Sequence, residues 1–239
     1  MAPPVTTTAT GVVLWARRTA ARHRHECLLT GPERVRAARY LRQVDRDRFV
    51  VGNALLRQTV AECTGQPVSA VRVDRNCPDC SDPHGKPVIR DAEIHVSVSH
   101  AGDWVGVAVT DAGPVGLDVE QTTGSAEIDD LMSFALVPAE AAELRALTAD
   151  ARRPAFLRYW TRKESVLKAT GSGLRTPMRA VTVSTPGAPP RLLSATPPEL
   201  AEVARLYDVD PDAGHPAAMT VLSSRRVQVT VSDGHALLG

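Results

Sequence analysis

The chain has 239 residues, of which 43% are hydrophobic, and its 28 basic residues nearly balance 27 acidic residues to give a formal net charge of +1. This composition excludes a basic nucleic-acid-binding tail, a wholly disordered chain and a disulfide-dense mini-protein. The length accommodates one large domain or two smaller lobes with a sizeable core. Only three of the basic residues are lysines, Lys86, Lys163 and Lys168. A compositional bias toward arginine explains the rest, so the lysines are the positions to locate.

The sequence indicates neither a nucleic acid nor a membrane as partner. Its three Trp, three Tyr and three Phe residues are too few for the aromatic platforms that bind single-stranded nucleic acid. No segment approaches the ~20 apolar residues of a membrane span, and no basic residues precede the short apolar stretch near the N-terminus. We therefore expect a soluble cytoplasmic protein.

The four cysteines do not form a secreted disulfide framework, because they are few and unevenly spaced. Cys77 and Cys80 form a CxxC motif, and His84 follows four residues later. A structural zinc site needs four ligands, usually from two such motifs, and only half of one is present. Free or occasionally oxidised thiols that rigidify a loop are the favoured interpretation, and zinc binding is the alternative.

Strand and helix patterns alternate along the whole chain. Spacings of three and four residues between apolar positions predict helices, and alternation of polar and apolar residues predicts strands. In chain order we predict a strand at 11–15, a helical region at 32–64, a loop with short strands at 65–93, strands at 95–100, 104–110 and 115–120, helices at 126–147 and 154–170, a strand at 180–184, a Pro-rich loop at 186–198, a helical piece at 198–207 and a strand at 228–232. The fold class is therefore α/β or α+β in two lobes, residues 1–113 and 114–239, which meet at Gly113-Pro114.

Two acidic side chains leave the same face of one predicted strand. Asp118 and Glu120 are two residues apart, whereas Leu117 and Val119 point the other way. Neighbouring carboxylates repel each other unless a cation lies between them. A solvated strand face and a divalent-metal site both remain open from these residues alone.

The helix predicted at 154–170 carries two of the three lysines. At 100° per residue, one face holds Phe156, Trp160, Lys163 and Leu167. Lys163 therefore points toward the interior, where an ammonium needs a partner charge such as an anionic ligand. Glu164 and Lys168 lie beside that face at the spacing of an i, i+4 ion pair. Two lysines beside a carboxylate in an arginine-rich chain suggest a phosphate site.

These segments closely resemble the signature motifs of the 4'-phosphopantetheinyl transferase superfamily. The first motif is Gly116-Leu-Asp-Val-Glu120, and the second is Phe156-Leu-Arg-Tyr-Trp160-Thr-Arg-Lys163-Glu164-Ser165-Val-Leu-Lys168-Ala-Thr-Gly171. Gly85-Lys86-Pro87 resembles the GKP element of the family, and Val96-Ser-Val-Ser99-His100 resembles the strand that follows it. The resemblance covers about residues 32–175. Motif order and length resemble the larger, monomeric, surfactin-synthetase-activating type, which implies two pseudo-symmetric lobes, each a small antiparallel sheet packed with helices.

The resemblance implies a role for each motif residue toward coenzyme A and Mg²⁺. Asp118, Glu120 and Glu164 would be the ligands of a Mg²⁺ that bridges the pyrophosphate of coenzyme A. Lys163 and Lys168 would neutralise that pyrophosphate, and Lys168 would stabilise the departing phosphate.

The other end of coenzyme A is expected to lie against the first lobe. Ser99 and His100 would contact the 3'-phosphate and nearby pyrophosphate oxygens. The 3'-phosphoadenosine would be bound by Lys86, in its Gly-Lys-Pro87 element, and by Arg48. Arg34 or Arg36 would assist. Phe49 stands where relatives can carry a small hydroxyl residue, which puts that one contact in doubt.

The implied activity is that of a holo-[acyl-carrier-protein] synthase. A serine hydroxyl of an acyl or peptidyl carrier protein would attack the β-phosphorus of coenzyme A, with release of 3',5'-ADP. Glu164, or a metal-bound water near it, would be the base. The carrier would dock on residues 121–147, including Phe134, Leu136 and Val137, where Glu140 is either a family acidic position or a solvated carboxylate. Polyketide, nonribosomal peptide or fatty acid synthases would supply the carriers.

Two other functions fit parts of the sequence. A different Mg²⁺-dependent phosphotransferase or nuclease shares the carboxylates, although not the spacing of the second motif. A small binding module built around Cys77 and Cys80 would be shown by stoichiometric zinc together with no turnover.

Overall fold

A computed structural model describes residues 8–77, 80, 85–123 and 128–239. The strands of the described residues are β1 (Ala9–Arg17), β2 (Val73–Asp74), β3 (Val88–Ile89), β4 (His95–Ala101), β5 (Trp104–Thr110), β6 (Val115–Val119), β7 (Thr182–Val183), β8 (Leu192–Ser194), β9 (Ala204–Asp208), β10 (Ala217–Leu222) and β11 (Val227–Asp233). The helices are α1 (His23–Glu26), α2 (Gly31–Ala38), α3 (Gln43–Thr64), α4 (Ile128–Ala135), α5 (Pro138–Arg145), α6 (Ala149–Thr170), α7 (Leu200–Val203) and α8 (His235–Leu238). The mixed α/β class predicted from the sequence is thus confirmed.

The strands form two main sheets and one small one. The larger sheet has the order β11-β1-β5-β4-β3-β2, the second has the order β6-β10-β9, and β7 pairs with β8. Every pairing in these sheets is antiparallel except that of β1 with β11, which is parallel. The second sheet thus starts directly after the β4–β5 hairpin.

Alternation along the strands builds four layers. In β5, Val105, Val107 and Val109 pack under α3, whereas Ala108 faces the second sheet. Leu117 and other apolar side chains of β6 and β10 point from the second sheet into the same interior. Its opposite face lies against α6. The order α3, larger sheet, second sheet, α6 follows from the two-residue period of strands.

The two long helices have matching lengths and matching ends. Helices α3 and α6 each have 22 residues. Each ends at a glycine in the left-handed conformation, Gly65 with φ 70° and Gly171 with φ 71°, which is the common way to end a helix. The predicted end of the second helix at Gly171 is therefore confirmed.

The structure corrects several element boundaries. The helix predicted to begin near Pro154 begins at Ala149 and contains Pro154, at the cost of the hydrogen bond that a residue-154 N–H would donate to Asp150. The helix predicted at 126–147 is two helices, because Pro138 starts α5.

The prediction of a helical piece at 198–207 is wrong for its second half. Residues 204–208 form β9, in which buried Ala204 and Leu206 alternate with half-buried Arg205 and Tyr207. Strand β10 is absent from the predicted elements, and it joins β6 to β9 at the centre of the second sheet.

The C-terminal strand departs from the predicted lobes. Although β11 follows the second sheet in sequence, it pairs with β1 in the larger sheet, with Ala9 opposite Val227. The division into two lobes at Gly113-Pro114 stays a prediction. Strand β11 crosses this division. No helix in the described ranges is long and apolar enough to cross a membrane.

Candidate functional site

A close contact between β6 and α6 sets the geometry of the site. Gly116 of β6 lies directly under α6, so that a Cβ at this position would collide with the carbonyl oxygen of Ser165 and the backbone nitrogen of Ala169. Only glycine permits this approach. The contact puts the C-terminal half of α6 beside the carboxylates that follow Gly116 in β6.

Asp118 and Lys168 form an ion pair across this contact. The Nζ of Lys168 lies 2.5 Å from Oδ1 of Asp118 and donates a 3.2 Å hydrogen bond to Oγ of Ser99. Oγ of Ser99 in turn donates a 3.3 Å hydrogen bond to the same Oδ1. Lys168 therefore pairs with Asp118 and not, as its spacing suggested, with Glu164.

Burial dominates the electrostatics of Asp118. Its side chain is 7% exposed, and this burial raises its pKa despite the opposing effect of Lys168. The second oxygen, Oδ2, is buried without a hydrogen-bond partner. A buried, unpartnered carboxylate oxygen is costly for folding alone and suits a cation.

The negative charge of Asp118 acts on both Glu120 and Glu164. Burial and the negative charge of Asp118 raise the pKa of Glu120 to about 7. The same two causes raise the pKa of Glu164. Three carboxylates that disfavour one another's ionised form make a hard-oxygen donor set of the kind that Mg²⁺ prefers.

The side chains are not arranged as a finished metal site. Within the described ranges, no three His, Cys, Asp or Glu side chains lie close enough together to hold a metal ion. The positive charge beside Asp118 is instead that of Lys168. The donor chemistry and the unpartnered Oδ2 fit a divalent cation, whereas the side-chain positions of the predicted ligands do not yet converge on one point.

A cavity of about 680 Å³ adjoins this cluster. Residues of both halves of the chain line it, including Lys86 and Pro87 from the first half and Lys168 and Gly171 from the second. The Nζ of Lys86 donates a 2.7 Å hydrogen bond to the carbonyl oxygen of Ala169. Burial lowers the pKa of Lys86 to about 8, so that its ammonium carries a charge near neutral pH and would gain from an anionic ligand.

A second cavity, of about 130 Å³, lies beside His100 and Arg48. Arg48 donates from Nε (2.8 Å) and Nη2 (2.5 Å) to the carbonyl oxygen of Gly102 and from Nη1 (2.9 Å) to Asp45. His100 is at the exposed rim, where partial burial followed by the charge of Arg48 lowers its pKa. Of the residues predicted to contact the 3'-phosphoadenosine end, Arg48 and His100 line this cavity, whereas Lys86 lines the larger one. Ser99 lies instead beside Asp118 and Lys168.

Phe49 is part of that cavity wall. Its ring packs against Tyr40, with centroids 5.5 Å apart, and Arg36 lies over it at 5.2 Å. Phe49 therefore supplies a surface that supports Arg36 rather than a hydroxyl contact. Arg36 lines the cavity, whereas Arg34 donates its side chain to the carbonyl oxygen of Leu29.

The structure does not bring Lys163 to the other site residues. Its side chain has no exposed surface, and its Nζ lies 2.6 Å from Oε2 of Glu140. It also donates to the carbonyl oxygens of Val181 (2.6 Å), Ala135 (3.0 Å) and Met178 (3.4 Å). The prediction that Lys163 points inward is confirmed, but its partner is a protein carboxylate, so its expected contact with pyrophosphate is corrected.

Glu140 belongs to the same buried network and is not a solvated carboxylate. It is 3% exposed, and its two oxygens accept hydrogen bonds from the backbone N–H groups of Val137 and Val183. The network holds α5, β7 and α6 together. Of the apolar residues predicted to dock a carrier, Phe134 is 54% exposed, Leu136 is buried and Val137 is half-buried.

Cys27, Cys63 and Cys77 carry free thiols, and Cys77 lines the 680 Å³ cavity. His84, the third residue considered for zinc, lies outside the described residues. Sequence reasoning missed Arg75, which lines both cavities described above. In a chain with 28 basic residues, nothing in the local sequence distinguishes this arginine from the others.

Comparison with known proteins agrees with this geometry. A family model described as the 4'-phosphopantetheinyl transferase superfamily matches residues 114–220. A second, described as the N-terminal part of 4'-phosphopantetheinyl transferases, matches residues 15–112. The two matches cover both sides of the cavity and every residue predicted for the site.

Individual relatives carry the same description. The chain is 29% identical over 171 residues to the 4'-phosphopantetheinyl transferase HetI of a Nostoc species, which covers 70% of each chain. It is 31% identical to psf-1 of Bacillus pumilus, over 59% of this chain and 58% of the relative, and 28% identical to Sfp of Bacillus subtilis, over 63% and 64%. Both Bacillus proteins are named 4'-phosphopantetheinyl transferases. The alignments therefore span 58% to 70% of the relatives' own lengths.

Proposed function

Because this chain belongs to the 4'-phosphopantetheinyl transferase superfamily, we propose that it transfers the 4'-phosphopantetheine arm of coenzyme A to a serine of carrier proteins. One observation carries the proposal. Three carboxylates, Asp118, Glu120 and Glu164, interact electrostatically beside a cavity that both Lys86 and Lys168 line. An acidic cluster facing a basic cavity suits a substrate with two or more phosphate groups and a divalent cation.

The two lysines would bind and neutralise the phosphates of coenzyme A. Lys86 has a depressed pKa because it is buried, and a phosphate beside it would restore the charged form. Lys168 is one-third exposed, so its ammonium can leave Asp118 and follow the charge that develops on the departing phosphate. Compact ammonium groups provide point charges for this purpose.

Asp118, Glu120 and Glu164 would hold a Mg²⁺, whose charge would offset that of the pyrophosphate. Among the described residues, Lys168 is the cation whose charge acts on all three carboxylates. The unpartnered Oδ2 of Asp118 supports this assignment.

The reaction forms one oxygen–phosphorus bond and breaks another. The serine oxygen of the carrier bonds to the β-phosphorus of coenzyme A, the bond from that phosphorus to the bridging oxygen breaks, and 3',5'-ADP leaves with the electron pair. Glu164 would take the serine proton, and burial together with the charge of Asp118 raises its pKa, which makes it a stronger base than an ordinary carboxylate. Phe134, exposed on α4, would contact the carrier.

The test is intact-mass spectrometry of a carrier protein in its unmodified form after incubation with the chain, coenzyme A and Mg²⁺. We expect a single added arm, and no gain on a carrier whose acceptor serine is replaced by alanine. The Asp118→Ala variant serves as the matched enzyme control. No gain on several different carriers, with folded chain and metal present, would contradict the proposal and favour another Mg²⁺-dependent phosphotransferase.

The monomeric state implied by the resemblance and the cytoplasmic location expected from the sequence stay predictions. Light scattering on the purified chain checks the first, and fractionation of producing cells checks the second. It is likewise a prediction that the carriers belong to polyketide, nonribosomal peptide or fatty acid synthases. Rates of modification compared between carriers of each class check it.

A further inference from the structure

The loop between β9 and β10, residues 209–216, is fixed to the end of β6, next to the acidic cluster. The carbonyl oxygen of Pro216 accepts a 3.0 Å hydrogen bond from the backbone N–H of Glu120. The carbonyl oxygen of Gly214 accepts two 3.0 Å hydrogen bonds from Thr122, one from its backbone N–H and one from its Oγ1. A shift of this loop would therefore move the segment that contains Glu120.

Within the loop, Asp212 holds the side chain of His215 in one orientation. Nδ1 of His215 lies 2.7 Å from Oδ1 of Asp212, and the same oxygen accepts a 2.9 Å hydrogen bond from the backbone N–H of Gly214. Oδ2 of Asp212 accepts a 2.8 Å hydrogen bond from Nε1 of Trp104. Because an ionised carboxylate can only accept, Nδ1 of His215 is the ring nitrogen that carries the proton. The imidazole is thus oriented by a carboxylate that is itself bound at both oxygens.

The oriented ring of His215 packs against the turn between β4 and β5. A Cβ at Gly102, in this turn, would lie 2.7 Å from Nε2 of His215 and 2.9 Å from the side-chain amide of Gln121. Nε2 is buried, and it has no hydrogen-bond partner in the described ranges. The imidazole therefore acts on the turn by close packing, which resists displacement because protein interiors have a low compressibility.

The carbonyl oxygen of Gly102 connects this turn to the 130 Å³ cavity. It accepts hydrogen bonds from Nε and Nη2 of Arg48, at 2.8 and 2.5 Å, and Arg48 lines that cavity together with His100. The position of the turn therefore sets the position of the guanidinium. Since the acidic cluster lies beside the second sheet and the 130 Å³ cavity beside the larger one, His215 bridges two parts of the site.

We propose that His215 is a positioning residue that fixes the spacing between the acidic cluster and the 130 Å³ cavity. This role rests on the proposed function, in which coenzyme A spans both places. A ligand that binds at both places depends on their spacing to within about 0.5 Å, and a misplacement of about 1 Å can cost about a hundredfold. A ligand that reaches only one of them does not depend on that spacing.

Calorimetry tests this role with two ligands, coenzyme A and inorganic pyrophosphate, each in the presence of Mg²⁺. In His215→Ala we expect Kd for coenzyme A to rise about ten- to a hundredfold. Kd for pyrophosphate, which reaches only the acidic cluster and its lysines, should stay that of wild type. His215→Asn keeps an N–H donor for Asp212 but is too short to reach Gly102. It should show the same rise with the thermal unfolding midpoint of wild type.

Amide hydrogen exchange of the ligand-free chain tests the contact itself. Exchange in the peptide that contains residues 101–104 should be faster in both His215 variants than in wild type. The matched control is His235→Ala. His235 lies 2.5 Å from Asp233 in a pair of the same kind, and it lines a different cavity. This variant should match wild type in both measurements.

Three results would each overturn the role of His215. They are unchanged exchange, an unchanged Kd for coenzyme A, and an equal rise of Kd for coenzyme A and pyrophosphate. If wild type binds no coenzyme A, the proposed function itself is wrong. If wild type binds coenzyme A and both His215 variants bind it equally well, only the role of His215 is wrong.

Discussion

The buried pair Lys163–Glu140 allows the sharpest quantitative prediction. Replacement of Lys163 by methionine keeps most of the unbranched side chain but removes the ammonium that lies 2.6 Å from Glu140. The change leaves a carboxylate buried without its counter-charge, together with the carbonyl oxygens of Val181, Ala135 and Met178. Removing one partner of a buried pair costs about 3–5 kcal/mol, against a total of about 5–15 kcal/mol for a native protein.

Chemical denaturation followed by circular dichroism measures this loss. We expect Lys163→Met to lower the free energy of unfolding by about 3–5 kcal/mol. Glu140→Gln should lower it less, because the ammonium of Lys163 keeps its three carbonyl acceptors. Arg145→Met, which removes an exposed cation from α5, should stay within about 0.5 kcal/mol of wild type.

Kinetics then separate this structural role from contact with substrate. At a temperature where Lys163→Met is folded, its KM for coenzyme A should equal that of wild type, because the ammonium has no exposed surface. A loss of stability below about 1 kcal/mol, or a KM raised tenfold with stability kept, would refute the reasoning and return Lys163 to the pyrophosphate.

Three further predictions concern the site itself. Asp118→Asn should lower turnover at least about a hundredfold and abolish any rise of the thermal midpoint with Mg²⁺. Without metal the variant should be at least as stable as wild type, because a buried carboxylate with a raised pKa is removed. A loss of stability measured by calorimetry would contradict this. KM for coenzyme A should rise between pH 7 and 9 as Lys86, with a pKa of about 8, loses its proton. Lys86→Arg should flatten that rise. An equal rise of KM in wild type and variant would show that a group other than Lys86 causes it. Gly116→Ala should destabilise the fold by about 3 kcal/mol or more, since its Cβ collides with α6. The control is Gly187→Ala, which has open space around it and should unfold at the wild-type midpoint. Equal midpoints for the two variants would refute the close approach of β6 to α6.

Local sequence patterns predicted the elements that position the site. The alternation around Asp118 gave the correct face of β6, and the three- and four-residue spacing around Lys163 gave the correct buried face of α6. The end of α6 followed from Gly171. These features depend on residues close together in sequence, where the periods of strand and helix apply directly.

Features that depend on distant segments were not accessible in this way. The partner of Lys168 is Asp118, 50 residues away, rather than Glu164 on the next turn. The partner of Lys163 is Glu140 on a separate helix, and Arg75 gains its position only when β2 and β4 join one sheet. Strand β9 was predicted as the end of a helical piece, and its pairing with β10, which lies about ten residues further along the chain, makes it a strand.

The most direct test of the central claim follows both products of one reaction. A carrier protein with its serine free is incubated with the chain, Mg²⁺ and coenzyme A, and the arm attached to the carrier and the 3',5'-ADP released are quantified together. We predict equal amounts of the two, and neither product with Asp118→Ala or with a carrier that lacks the serine. Release of 3',5'-ADP without modification of the carrier, or neither product with several carriers, would contradict the account.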